Sequence, residues 1–595
     1  MSVMLFLIAT LLIHCIPIPP SARMLNMRVL ARWLPVRLVW GTVAWLIICP
    51  LLMMTLPWAI ISLVMSFALL MVISSGLRPS QGIEEFMERI RGPTVCIGVL
   101  ILIVMPIASG LISWTSSVAN ANEFDNTLVS LEDGPLFQNP IPDNQVRLVT
   151  DTLATFQARK YMSQIGSSVD ISAAHITVRN GRLVWVCVVV STNVLSENYV
   201  QGLIVVDAND PDVVEVISGL QFPVGEGLWW DRNIQFGSYL DDMTNFYEYA
   251  YPTWDPADNL VYIQTRTQLG LDFVERPLGP KVYCANGTVI AYPTLAETPQ
   301  WITQAYSEEY LERQISRWGG YRRDDGFDLF AGGFLWFIQP SRNRVAMTED
   351  TRYILNPDTN RVEAFVALHP PDATTLTLSG LVRATKDAVR YYDMTNESLV
   401  SGEAAVNTII KDFPKPVTGS YSGAMPLLYP VMVNSTYARQ VWYCPVYWYN
   451  SQYDSDLEDY VVTDFKLYAL GMVDAKQLEI SYTVTKGSLT GEGLVQQARQ
   501  GFVNTARVAL GLEPEPEDTI ELSATALNVT SYVESGNTHV VLRTSNSTYT
   551  WIEGAREWMP LADWYELLTV KEGDSFTATI EQIGSQYRIV AFSKS

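Results

Sequence analysis

Four histidines, His14, His175, His369 and His539, make up the whole imidazole complement of the chain. None stands at metal spacing from another, and no His-Glu-x-x-His occurs, so the spacing offers no zinc site. His14 lies in an apolar stretch with no acidic partner there, which argues against a proton relay. Gly419-Ser420-Tyr421-Ser422-Gly423 has the outline of a nucleophile elbow, but its centre is Tyr, which cannot play the serine's part. Asp454, Asp456 and Glu458 alternate, and Asp459 follows. Alternating carboxylates ligate calcium in some loops, yet the glycine such a loop needs is missing, and a solvated acidic loop is the simpler reading. Asp207, Asp210 and Asp212 read as turn residues. Arg322-Arg323-Asp324-Asp325, between Gly320 and Gly326, reads as a solvated turn, with a contact loop as the alternative. Nothing here converges on a catalytic set or a cofactor motif. The expectation is a non-catalytic protein without a cofactor.

Aromatic side chains are the other candidates. Trp442, Tyr443, Tyr447, Trp448, Tyr449 and Tyr453 form the densest cluster, and Tyr549 and Trp551 stand in the last segment. Exposed, Trp442, Tyr447, Trp448, Tyr449, Tyr549 and Trp551 would make a stacking surface for a sugar or a protein. Half buried in a sheet, they would be ordinary packing. The last segment also holds more acidic than basic residues, which excludes nucleic acid as a partner.

The elements that must carry these residues divide sharply. Residues 38–77 contain no Asp, Glu, Lys, Arg or His. A single helix of that length would measure about 60 Å, twice the hydrocarbon thickness. Two spans, 38–56 and 57–77, fit better, with Pro57 opening the second. Residues 95–114 give another span. Residues 3–18 give a fourth; a signal peptide is the alternative, but a basic leading region is absent. The loops 22–37 and 78–93 carry Arg23, Arg28, Arg32, Arg37, Arg78, Arg89 and Arg91. Four spans put both loops on one side, and the positive-inside rule makes it the cytoplasm. The N-terminus and residues 117–595 would then face outward from a plasma membrane. Residues 1–116 are net +4 in a chain of net −22, which leaves −26 for the rest.

Cys187, Cys284 and Cys444 lie outside the apolar stretches, far apart and odd in number, so at most one disulfide joins them and buried thiols are expected. Asn286, Asn396, Asn434, Asn528 and Asn546 sit in glycosylation sequons, which matter only in a cell that glycosylates.

The outer part repeats a phrase of strand, tight polar turn and strand: 201–217, 279–293, 351–368 and 467–484. Helical patterns at 147–165, 234–251, 299–318 and 401–413 precede the copies. His175–Ser191 carries an Asn180-Gly181 hairpin turn. The expected fold is an α-helical anchor of four spans plus α+β: helix-on-antiparallel-sheet modules at 117–220, 221–297, 298–395 and 396–512. A charged linker at 513–518 and a small OB-like β-barrel at 519–595 follow.

The turn Val205-Val206-Asp207-Ala208, echoed by Met472-Val473-Asp474-Ala475, resembles that of PepSY/cystatin-like α+β modules. The order of parts is similar to that of uncharacterised multi-span bacterial envelope proteins that end in an OB-like barrel. The resemblance implies an envelope protein whose modules hold or restrain a partner, in one case a peptidase. The expectation is a membrane-anchored extracytoplasmic binding or scaffold protein. Its partners are the lipid bilayer and a protein or further copies of itself. A peptidase regulator and a virion or surface-layer component are the alternatives.

Overall fold

A computed structural model describes residues 2–14, 35, 38–40, 51–76, 93–131, 136–193, 195–323, 326–327, 344–348, 351–371, 377–434, 437–454, 459–512, 519–534, 537–583 and 586–594. The four-span anchor is not what these residues form. Among them one helix is long and apolar enough to cross a membrane. It is Pro93–Thr127, of 35 residues, and only 6% of its most apolar window is buried against the chain. Val3–His14 has 12 residues, and the Leu56–Gly76 helix has 21. Most of the expected span 38–56 lies outside the described residues. The physical reason is that hydropathy does not distinguish lipid from protein as a partner. Val3, Phe6, Leu7 and Ala59 are buried against Tyr239, Met243 and Tyr247, far along the chain. The Leu56–Gly76 helix packs on Pro93–Thr127 at Gly98, where a Cβ would come within 2.9 Å of Val72. Close backbone approach of this kind is how small residues join helices in lipid.

The expected layering of helices on sheets is also corrected. The body that follows the Pro93–Thr127 helix is predominantly β, and its sheets stand like the blades of a propeller around a shared cleft. The first sheet takes four strands in chain order from Val169 to Phe222. The second runs from Asn245 to Ala291, and the fourth from Ser420 to Thr485. The third runs from Ala346 to Asp393 and gains the parallel strand Leu128–Leu131 at its outer edge. Short helices connect them.

Why blades form is visible in the strand Arg182–Ser191. It is apolar without alternation because both of its faces are covered. Leu183, Trp185, Cys187 and Val189 join the main core. Val184, Val186, Val188 and Val190 pack with Tyr262 and Tyr283 of the second sheet. A strand buried on both sides has no polar face to present.

Cross-sheet hydrogen bonds close the ring. Thr177 Oγ1 meets Thr253 Oγ1 at 2.7 Å between the first and second sheets. Tyr249 and Tyr353 stack at 5.8 Å between the second and third. The Arg352 side chain donates to Pro426 O at 2.8 Å between the third and fourth. Tyr447 of the fourth donates to Leu148 O, ahead of the first, at 2.7 Å.

The two Val-Asp-Ala copies have the same local structure. Asp207 Oδ1 accepts from the N–H groups of Asn209 and Asp210, and Asp474 Oδ1 from those of Lys476 and Gln477. Ala208 O accepts from Val149 N–H at 2.9 Å, and Ala475 O from Val400 N–H at 2.7 Å. Trp185 Nε1 then donates to Val149 O at 2.9 Å, and Trp442 Nε1 to Val400 O at 3.0 Å. Each device fixes the residue ahead of a capped helix, Asp151–Arg159 or Gly402–Asp412. Residues 519–594 form a closed five-stranded barrel with the Leu561–Leu568 helix packed against it.

Candidate anion-binding cleft

A cleft of about 680 Å³ lies where the inner edges of the four sheets converge. Arg147 enters it from the run Val146-Arg147-Leu148-Val149, whose apolar members are fully buried. The N–H groups of Leu148 and Val149 both donate to Ala208 O, which pins this run to the first sheet. Arg147 is 6% exposed. Its Nη1 donates to Tyr353 O at 2.6 Å, its Nη2 faces Met425 Sδ at 2.7 Å, and its guanidinium carbon sits 5.0 Å from the Trp185 ring centroid. Its Nε has no hydrogen-bond partner. These contacts are a carbonyl, a thioether and a ring, and none is an anion. Burial therefore pulls its pKa down, against the more distant pull of Tyr447, Glu308 and Asp151.

Arg352 opens the innermost strand of the third sheet, Arg352–Asn356, and lines the same cleft. Burial, and after it the charge of Arg147, push its pKa down to about 9. A buried guanidinium such as that of Arg147 is costly beside another positive charge. Arg383 shows the ordinary solution: equally buried, it pairs with Glu363 at 2.7 Å.

Two helix N-termini border the cleft. Thr150 Oγ1 accepts from Leu153 N–H at 3.0 Å and caps the Asp151–Arg159 helix. Ser307 Oγ accepts from Tyr310 N–H at 3.0 Å and caps the Glu308–Tyr321 helix. Both ends add partial positive charge. Glu308 stands in the cleft itself, and its carboxyl is pushed up to about 7, by burial first and Glu309 second, with Arg147 opposing. His175 Nε2 meets Glu226 Oε2, and the ring lies edge-on to Tyr249 at 5.4 Å. Trp185, Tyr249, Tyr353, Tyr447 and Phe465 complete an aromatic wall. Such a site can hold an anion on the guanidinium groups and pack the anion's carbon skeleton against rings.

The residues singled out in the sequence are scattered by comparison. Trp442 and Tyr447 are each 1% exposed and cannot offer a surface to a macromolecule, although Tyr447 does line the cleft. Trp448 and Tyr449 are half buried, and Trp448 Nε1 donates to Thr418 O at 3.0 Å. Tyr549 packs edge-on against Tyr587 at 5.0 Å, while Trp551 is exposed beside Arg543. Asp456, Glu458, Asp324 and Asp325 lie outside the described residues. Asp454 and Asp459 face each other as the paired ends of two strands. Among the described residues no three His, Cys, Asp or Glu side chains gather to hold a metal ion. His369 and His539 contact Met347 O and Glu553, far from His175 in the fold. Ser422 lines the cleft, but Tyr421 stacks on Tyr468 at 4.7 Å instead of occupying a nucleophile's place. Asp210 and Asp212 do more than turn the chain: Gly491 N–H donates to Asp210 Oδ2 at 2.9 Å, and Lys486 Nζ meets Asp212 Oδ2 at 2.6 Å. Cys187, Cys284 and Cys444 are free, and burial pushes the Cys187 thiol up to about 12.

Arg147, Arg352 and Glu308 were missed. The one available signal was an arginine inside an otherwise buried apolar run, Val146 to Val149, where a solvated residue has no place. No protein-family model, curated protein or solved structure matches this chain.

Proposed function

We propose that this protein is a membrane-anchored binding protein that holds a small anion in the cleft between its four sheets. One observation carries the reading: Arg147 is buried with its Nε unpartnered and no anion among its contacts, beside the half-buried Arg352. A charge left in that state is expensive, and a bound carboxylate or phosphate would supply the missing partner. The outward-facing Pro93–Thr127 helix supports membrane anchorage. The arginines Arg78, Arg89 and Arg91 ahead of it, and the acidic body after it, favour a body on the non-cytoplasmic side.

The test uses the full chain in lipid nanodiscs. Acetate, succinate, sulfate and phosphate are titrated against the melting temperature, with glycerol and choline as uncharged and cationic controls. At least one anion raises Tm in a saturable way in the native protein and leaves Arg147→Met unchanged. No response to any of the four anions, or an equal response in the variant, rejects the reading.

A further inference from the structure

Away from the cleft, three large apolar side chains stand exposed beside the Leu56–Gly76 and Pro93–Thr127 helices. Trp229 is 55% exposed, Trp230 56% and Leu271 71%. Their exposure is built into the chain. Asn198 clamps the backbone of Trp229 in both directions, donating to its O at 2.9 Å and accepting from its N–H at 2.7 Å. Trp230 has φ +57, and Phe273, in the turn that presents Leu271, has φ +61. Both are left-handed conformations that bulky residues rarely adopt, and the surrounding contacts must hold them there. Arg232 Nη1 braces the first turn by donating to Pro223 O at 3.0 Å.

Both turns are continuous with the Leu56–Gly76 and Pro93–Thr127 helices, of which the second is the one long and apolar enough to span. The Trp230 ring lies 5.2 Å from Phe236, and Phe236 lies 6.4 Å from Tyr239. Tyr239 OH donates to Met54 O at 2.9 Å, and Leu56 N–H donates to Met243 O at 2.8 Å. On the other turn, Phe273 meets Trp58 edge-on at 5.1 Å. Asn120, on the Pro93–Thr127 helix, donates to Phe273 O at 3.0 Å and accepts from Glu275 N–H at 2.7 Å. The exposed trio thus lies where chain leaves lipid, and tryptophan prefers that interfacial layer to water or hydrocarbon.

We propose that Trp229, Trp230 and Leu271 enter the headgroup layer of the bilayer and seat the second sheet against it. This rests on the membrane anchorage proposed above. The full chain is placed in phosphatidylcholine nanodiscs. The fluorescence of the pair is read as the difference between the native protein and Trp229→Phe/Trp230→Phe. Lipids carry a nitroxide near the headgroup or near the chain end, and acrylamide reports water access. The difference signal is quenched at least about twofold more by the shallow nitroxide than by the deep one, and acrylamide reaches it less in discs than in detergent. Equal acrylamide quenching in discs and detergent, with no nitroxide effect, overturns the proposal while the chain remains in the discs. A chain that does not co-elute with the discs overturns the anchorage, and this inference with it.

Discussion

The C-terminal barrel and the four-sheet ring both close antiparallel strands around an interior, and they fill that interior in opposite ways. The barrel encloses Leu522, Leu542, Phe576, Ile580 and Ile589, all buried and all apolar. Within the barrel Arg588 pairs with Glu581 at 2.6 Å, and His539 Nδ1 meets Glu553 Oε1 at 2.7 Å. The ring encloses open volume and Arg147, whose contacts are a carbonyl, a thioether and a ring. A filled interior is complete as it stands. An interior with unmet charge is what the proposed anion would complete.

That contrast can be broken from either side. The largest effect is expected from Arg147→Met. It should weaken binding of a responsive anion by about 2–5 kcal/mol, a hundredfold or more across most of that range, measured by calorimetry. Stability without ligand should hold or rise, because an apolar replacement of a buried, poorly paired charge is often neutral or favourable. Leu542→Ala should behave in the reverse manner. Hydrogen exchange of the barrel strands should show a loss of about 2–5 kcal/mol, with anion affinity unchanged. A large affinity loss in this variant would mean that the two regions are not independent.

Trp185→Phe and Trp442→Phe sharpen the comparison between the two repeated devices. Each removes one buried hydrogen bond to the residue ahead of a helix, worth about 1 kcal/mol, measured by exchange of the Asp151–Arg159 or Gly402–Asp412 amides. Only Trp185→Phe should also reduce anion affinity, since only Trp185 lies against Arg147.

Glu308→Gln acts through pH and leaves the contacts of Arg147 in place. The Glu308 carboxyl, usually near 4.5, is raised to about 7 in the folded chain, so the fold binds this proton more tightly than the unfolded chain does. Its contribution to stability is complete below 4.5 and falls as pH rises from there through 7. An anion in the same cleft should follow the same direction and bind less tightly as pH rises through 7. In Glu308→Gln both slopes should flatten, read from Tm and affinity between pH 5 and 8.

Local features were legible where local chemistry determines them. Asn180 and Gly181 take φ +52 and +75, the left-handed pair of a two-residue hairpin, between the paired Arg179 and Arg182. The Val-Asp-Ala copies do share one structure, down to the bonds that Asp207 and Asp474 accept. The strands of 519–594 were readable from alternation and turns. The cleft was not, because Arg147 and Arg352 are brought together only by closure of the ring, which no local pattern encodes. The apolar front misled for a related reason. Val3, Phe6 and Leu7 are greasy because they dock on Tyr239 and Tyr247, and hydropathy scores that burial as it would score lipid.

The Pro93–Thr127 helix runs on beyond its apolar stretch. It continues unbroken to Asp125, whose Oδ1 accepts from Trp318 Nε1 at 2.7 Å, with Phe124 edge-on to the same indole. Trp318 lies near the end of the helix whose first residue is Glu308, in the cleft. Two stiff rods joined at an indole make a lever. On the proposed anchorage, tilting the first within the bilayer would displace the carboxylate at the far end of the second, and so would link lipid thickness to occupancy of the proposed anion site.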